Sequence, residues 1–136
     1  MVQTRSSYLG GLRCSAEHGP SKAIIYTDAP VDNHGKGEAF SPTDLVGTAL
    51  LTCVMTIMGI TAKKLGIALE GAQGVVEKHM VADPFRRIKK LDITIAGLPK
   101  GLDAEQRAAL EDAGNTCPVT RSLHPDTEVA LVFQWD

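Results

Sequence analysis

The sequence predicts an α+β fold in a single domain spanning residues 1–136, and three observations carry that expectation. Several short segments alternate apolar and polar side chains with the two-residue period of strands, most clearly Arg87–Ala96 and Glu128–Trp135. One uncharged stretch, between Ser41 and Gly66, is too long for a strand and carries helix-end signals on both sides. A length of 136 residues suits one core rather than two.

Taken in order, Tyr8–Ala16 reads as a first strand, with Leu12 and Cys14 on one face and Arg13 on the other. Residues 17–21, Glu-His-Gly-Pro-Ser, make a turn, and Ala23–Thr27 is a second strand, so the two form a hairpin. Residues 28–38, with Pro30, Asn33, Gly35 and Gly37, form a loop. A long helix follows. Ser41 caps it, Pro42 takes the first helical position, Asp44 completes a capping box, and Lys63, Lys64 and Gly66 mark its end. Two more strands, Ala68–His79 and Arg87–Ala96, flank a turn at Asp83-Pro84. Asp103–Gly114 is an amphipathic helix capped by Asp103, with Leu102, Ala109, Leu110 and Ala113 as its apolar stripe. Glu128–Trp135 closes the order β-β-α-β-β-α-β, in which largely antiparallel strands pack on two helices.

Composition narrows the function. With 43% apolar and 22% charged residues and a net charge of −2, the chain lacks the basic surface of a nucleic-acid binder. The first residues have no apolar run of the signal-peptide kind, which makes the cytoplasm the expected compartment. No charge interrupts Leu45–Ala62, so the long helix is expected to be buried on nearly every side. Its threonines and glycines, and its place between strands, speak for a core helix rather than a membrane span. A chain of this size has little material to cover such a helix, which points to a second copy.

Three cysteines at wide spacings form no structural disulfide framework. Cys53 has Ala49, Leu50, Thr56 and Ile57 as helical neighbours, apolar company that raises a thiol's pKa. Cys117 precedes Pro118 at a helix-to-loop junction that could face a cavity, and Cys14 sits in a strand. Taken one at a time, each reads first as a small core residue. The four histidines show no ligand spacing, and no metal site is expected. Arg13, Arg86, Arg87 and Arg121 lie where a guanidinium could serve a thiolate or an anion, or simply face water.

Two motifs together change the weight of the cysteines. Residues 40–53, Phe-Ser-Pro-Thr-Asp-Leu-Val-Gly-Thr-Ala-Leu-Leu-Thr-Cys, followed by 58–62, Met-Gly-Ile-Thr-Ala, resemble the central helix of the osmotically inducible protein C and organic hydroperoxide resistance (OsmC/Ohr) family. Residues 115–123, Asn-Thr-Cys-Pro-Val-Thr-Arg-Ser-Leu, resemble its second cysteine motif. The resemblance implies antiparallel sheets wrapped around the central helices of an intertwined homodimer, with two sites at the subunit interface. It also implies a peroxidase for organic hydroperoxides, with Cys53 in the peroxidatic and Cys117 in the resolving position. An external dithiol would restore the enzyme, with no metal or other cofactor and no membrane or nucleic-acid partner.

The chain departs from the pattern at the activating residues. Where hydroperoxide-resistance proteins carry a Glu after the helix-opening Pro, this chain has Thr43 and then Asp44; Glu38 is the other available carboxylate, and Arg13 the nearest arginine. A divergent branch is implied. The alternatives kept open are a binding protein for small apolar ligands and a cysteine redox sensor.

Overall fold

Gly10, Gly11 and Leu12 all take positive φ, 83°, 59° and 61°, and this turns the chain back on itself. The single strand expected over Tyr8–Ala16 is therefore two, and Leu12 sits in the turn rather than beside Cys14 on a strand face. Glycine adopts this conformation without penalty, and two in succession make the turn tight. The computed structural model describes residues 1–136 and divides into two units, Met1–Val46 and Gly47–Asp136.

In the first unit, β1 (Thr4–Gly10), β2 (Arg13–His18) and β3 (Ile24–Asp28) form an antiparallel sheet in that order. Ser7 pairs with Ser15 and Ser15 with Tyr26, so Arg5, Ser7, Glu17, Ile24 and Tyr26 share one face. β1 is exposed throughout, and Tyr8, Leu9, Ile24, Ile25 and Tyr26 are all exposed. After β3 the chain makes one 3₁₀ turn, Val31–Asn33, and folds back so that Gly37 donates to Ala29 O at 3.3 Å. Gly35 fits this loop because a side chain there would overlap the carbonyl oxygen of Ala29.

Helix α1 (Pro42–Lys64) has the expected ends. The Ser41 N–H donates to the Asp44 carboxylate at 2.9 Å, and the Asp44 N–H donates to the Ser41 hydroxyl at 3.0 Å, a reciprocal capping box. At the other end Ile67 N–H bonds Ala62 O, Gly66 N–H bonds Lys63 O, and Gly66 has φ 67°, the arrangement of a Schellman cap.

The second unit holds β4 (Gln73–Val81), β5 (Arg87–Ala96) and β6 (Glu128–Phe133) in one sheet, in that order. β4 and β5 are antiparallel, but β5 and β6 are parallel. The chain returns to the starting end of β5 through α2 (Ala104–Asn115) and α3 (Pro118–Ser122), a connection long enough for a parallel crossover. Helix α2 carries the expected Asp103 cap, completed as a capping box by Gln106. Several bounds differ from expectation: β3 is shifted by one residue from Ala23–Thr27, β4 runs Gln73–Val81 rather than Ala68–His79, and β6 stops at Phe133 rather than Trp135. Trp135, beyond it, donates its indole N–H to Glu111 at 2.6 Å and stacks under the Arg107 guanidinium at 5.3 Å.

The core joins Leu50, Val54, Met58 and Ala62 of α1 to Leu91, Ile93 and Ile95 of β5, with Leu98, Leu110 and Cys117. Each large aliphatic side chain so buried is worth about 1.5–3 kcal/mol against its exposed state. Gly74 lets α1 come close to the sheet, since a Cβ there would stand 2.5 Å from Leu51 and 3.1 Å from Ile95. The expectation of burial on nearly every side of α1 fails within one chain. Gly47, Leu50, Val54, Met58 and Ala62 are buried, while Ala49, Thr52, Thr56 and Ile60 are exposed along the opposite stripe. The two threonine hydroxyls on that stripe are not spent on water; they donate to Thr48 O at 2.8 Å and Thr52 O at 2.7 Å.

Candidate functional site

The site is built around a helix start that the sequence motif hides. After α2 ends, Cys117 takes extended backbone angles, φ −67° and ψ 143°, and serves as the N-cap of α3. Pro118 occupies the first helical position and has no N–H to offer, so the first free donors of α3 belong to Val119 and Thr120. The Thr120 N–H donates to the Cys117 sulfur at 3.3 Å, and the Thr120 hydroxyl lies 3.1 Å from it. A thiol thus fills the place usually held by Ser, Thr, Asp or Asn.

Cys53 comes from the flank of α1, between its buried and exposed stripes, and is half-buried. Cys117 and the Val119 N–H are the groups whose influence its thiol feels, and it packs against the apolar cluster that holds Cys117. Cys117, at a junction that could face a cavity, is fully buried. The buried side of the pair is the tail of α2, the start of α3 and the middle of α1, all drawn in around Leu110 and Val54.

The two thiols differ in charge preference. Burial, first, and then the neighbouring Cys117 push the Cys53 thiol up, against the one helping Val119 N–H. Burial is also the largest single influence on Cys117 and also pushes up. There the Thr120 hydroxyl, the Thr120 N–H, Cys53 and the Val119 N–H together outweigh it, and the thiol lies below its ordinary value.

The other sequence candidates fall in the first unit. Arg13 does not face water as a free sheet residue. Its Nε and Nη2 donate to the two Asp28 oxygens at 2.7 and 2.8 Å, and Nη2 also reaches Glu38 at 2.8 Å. Asp28, only 1% exposed, further accepts the Glu38 N–H at 3.0 Å. Asp28 first and Glu38 second hold the guanidinium charged, and Arg13 in turn holds the Asp28 carboxyl below its usual range. Asp28 escaped the sequence reading; only the β2–β3 register, which sets Arg13 opposite it, reveals the pair. Thr43 and Asp44 sit in the α1 cap, Thr43 with its hydroxyl 3.2 Å from that of Ser41.

A second polar group also went unread. Glu77 and His79 on β4 meet Asp92 of β5, with ligand-type atoms within 4.8 Å of one another and His79 Nε2 2.9 Å from Asp92. Lys90 already sits on Asp92 at 2.8 Å and, ahead of His79, keeps that carboxyl low, so the group is a cross-strand ion-pair network.

Residues 35–132 match the family model described as OsmC-like protein. The chain belongs to the OsmC-like family. This OsmC-like chain is 43% identical to a crystallised Psychrobacter arcticus 273-4 protein named for osmotic stress induction and a detoxification response; the match covers 98% of this chain and 96% of that one, with a TM-score of 0.92. An organic hydroperoxide resistance protein OsmC from Legionella pneumophila shares 21% identity over 98% and 96% of the two chains, with a TM-score of 0.73. An OsmC-like protein from Mycoplasma pneumoniae shares 11% over 99% and 96%, with a TM-score of 0.81. The last two likenesses establish a shared fold. No curated protein matches the chain.

Proposed function

We propose that this OsmC-like chain is a thiol peroxidase that reduces organic hydroperoxides. The observation that carries the reading is the meeting of Cys53 and Cys117, from motifs far apart in sequence, in one apolar cluster where each thiol influences the other. The Cys53 sulfur attacks the distal peroxide oxygen, the O–O bond breaks, and the alcohol departs, leaving a sulfenic acid on Cys53. Cys117 then displaces the hydroxyl as hydroxide to close a disulfide, which an external dithiol reduces while becoming a disulfide itself. Apolar surroundings favour an organic peroxide over hydrogen peroxide. The reading needs no metal or other cofactor and suits the cytoplasm, where dithiol reductants are kept reduced.

The functional unit is a homodimer. The outward stripe of α1 and the exposed face of the first sheet are apolar surface that a second copy would cover, and Cys53 borders that stripe.

The test is intact mass and peptide mapping of the reduced protein after one equivalent of cumene hydroperoxide. The wild type is expected to lose the mass of two hydrogens as a Cys53–Cys117 disulfide. Cys117→Ser should stop with one oxygen on Cys53, and Cys53→Ser should stay reduced. If the wild type keeps both thiols, the chain is not a peroxidase.

A further inference from the structure

The outer face of the second sheet sets three carboxylates around one lysine. β5 turns Leu91, Ile93 and Ile95 into the core, so Lys90 and Asp92 stand on the opposite face, away from α1 and the cysteines. The register puts Glu77 of β4 directly across from Asp92 and His79 across from Lys90, with Glu128 of β6 on the other side of Lys90. Like charges placed directly opposite each other repel. Lys90 answers Asp92 at 2.8 Å and leans on Glu128 at 3.6 Å, while Glu77 makes no ion pair of its own. One carboxylate on this face is thus left without a cation.

We propose that Glu77, His79 and Asp92 form a binding site for a divalent transition metal ion, zinc foremost, on the outer face of β4 and β5. Glu77 and His79 lie two residues apart on one strand and so share a face, and Asp92 closes the triangle from the next strand. The donor atoms of the three residues all lie within 4.8 Å of one another, and His79 Nε2 stands 2.9 Å from Asp92 Oδ2. Those separations bracket the roughly 3.3 Å between donors of a tetrahedral zinc ion, whose bonds are about 2.0–2.1 Å long. Glu77 and His79 are exposed and free to rotate the small remaining distance. The second oxygen of Asp92 stays with Lys90, an outer partner of the kind that orients a ligating carboxylate.

The donor set selects the ion. An imidazole suits zinc and its transition-metal neighbours, whereas magnesium and calcium take oxygen ligands. Three protein donors leave zinc a further position for water. Because the donors come from both strands, a bound ion ties the edge strand β4 to β5, and an ion held only by the folded chain stabilises it. A histidine and a glutamate at strand spacing, completed by an aspartate from the next strand, match none of the sequence motifs by which zinc sites are recognised. The site is separate from the cysteine pair and stands whether or not the chain is a peroxidase.

The test is calorimetric titration of zinc into metal-stripped wild type, Glu77→Gln, His79→Gln and the double variant Cys53→Ser/Cys117→Ser. Thiols are kept reduced with a phosphine, because a dithiol would itself chelate the ion. The site is expected in the wild type and in the cysteine double variant. Glu77→Gln and His79→Gln should each weaken it by more than about tenfold, since losing even an outer partner of a metal ligand costs about 10–100-fold. Glu77→Gln breaks no ion pair of the metal-free protein, so its fold should be kept, as circular dichroism would show. Zinc should also raise the thermal midpoint of the wild type with concentration and leave that of Glu77→Gln nearly unmoved, and magnesium should do neither. No saturable zinc binding by the wild type, or wild-type affinity in either Glu77→Gln or His79→Gln, overturns the assignment. Loss of binding in the cysteine double variant overturns it too, by placing the ion on the thiols.

Discussion

Asp28 keeps a carboxylate almost out of water, and Arg13 answers both of its oxygens with a forked guanidinium. A carboxyl held low in the folded state adds stability above its unfolded pKa and loses it as pH falls through the folded value. The pair is therefore fully stabilising at neutral pH and fades on acidification below about pH 4, where an unfolded aspartate begins to bind protons. Thermal melts across that range should show the midpoint falling in the wild type. In Arg13→Lys, whose single ammonium cannot span both oxygens, the midpoint should be lower at neutral pH, and the decline on acidification should be smaller and end at a higher pH. Identical acid profiles for the two proteins would mean that the fork contributes nothing. Arg13 was visible in the sequence as a candidate, but its partners were not. A strand residue's cross-strand neighbour depends on register, and register here is set by where the 19–23 turn closes.

At the scale of elements, local signals were legible where the chain's own chemistry ends a helix. Ser41, Pro42, Asp44 and Gly66 named both ends of α1 because capping uses residues within a few positions of each other. Ser41→Ala should therefore cost about 1 kcal/mol in denaturant unfolding, the usual worth of a lost N-cap oxygen. An undiminished unfolding free energy would show that the rest of the box suffices. Helix α3 escaped notice because its five residues are too few for an apolar period, and its cap is a cysteine, which the usual cap signals omit. The β1–β2 turn escaped because Leu12, an ordinary strand former, is held at φ 61°. In the loop after β3, Gly35 has no room for a side chain against Ala29. Gly35→Ala should destabilise the protein by about 1–3 kcal/mol, as overpacking does, and hydrogen exchange at the Gly37 and Glu38 amides should quicken as the loop opens. Unchanged exchange there would mean that the loop refits at no cost.

For the whole molecule, the parallel placement of β6 beside β5 could not be read from its alternation, because a strand's own pattern is the same beside either kind of neighbour. The uncharged helix reads as needing cover, and one chain covers a single stripe of it. The uncovered stripe contains Ala49, Thr52, Thr56 and Ile60, small or apolar at its surface with both threonine hydroxyls turned back to the helix, so another surface can pack there without stranding a polar group. That logic gives a test with a built-in control. On an exposed helix face of a monomer, exchanging threonine for a charged residue usually shifts stability by no more than about 0.5 kcal/mol. Against a second copy the same charge would be buried without a partner, at a cost of several kcal/mol. Light scattering on a sizing column should therefore give the wild type about twice the 14.5 kDa chain mass. Thr56→Lys should move it towards one chain mass, or lower its thermal midpoint in proportion to dilution. A wild type that elutes at one chain mass, with Thr56→Lys melting where it does, would leave the stripe facing water and remove the dimer from the proposed function.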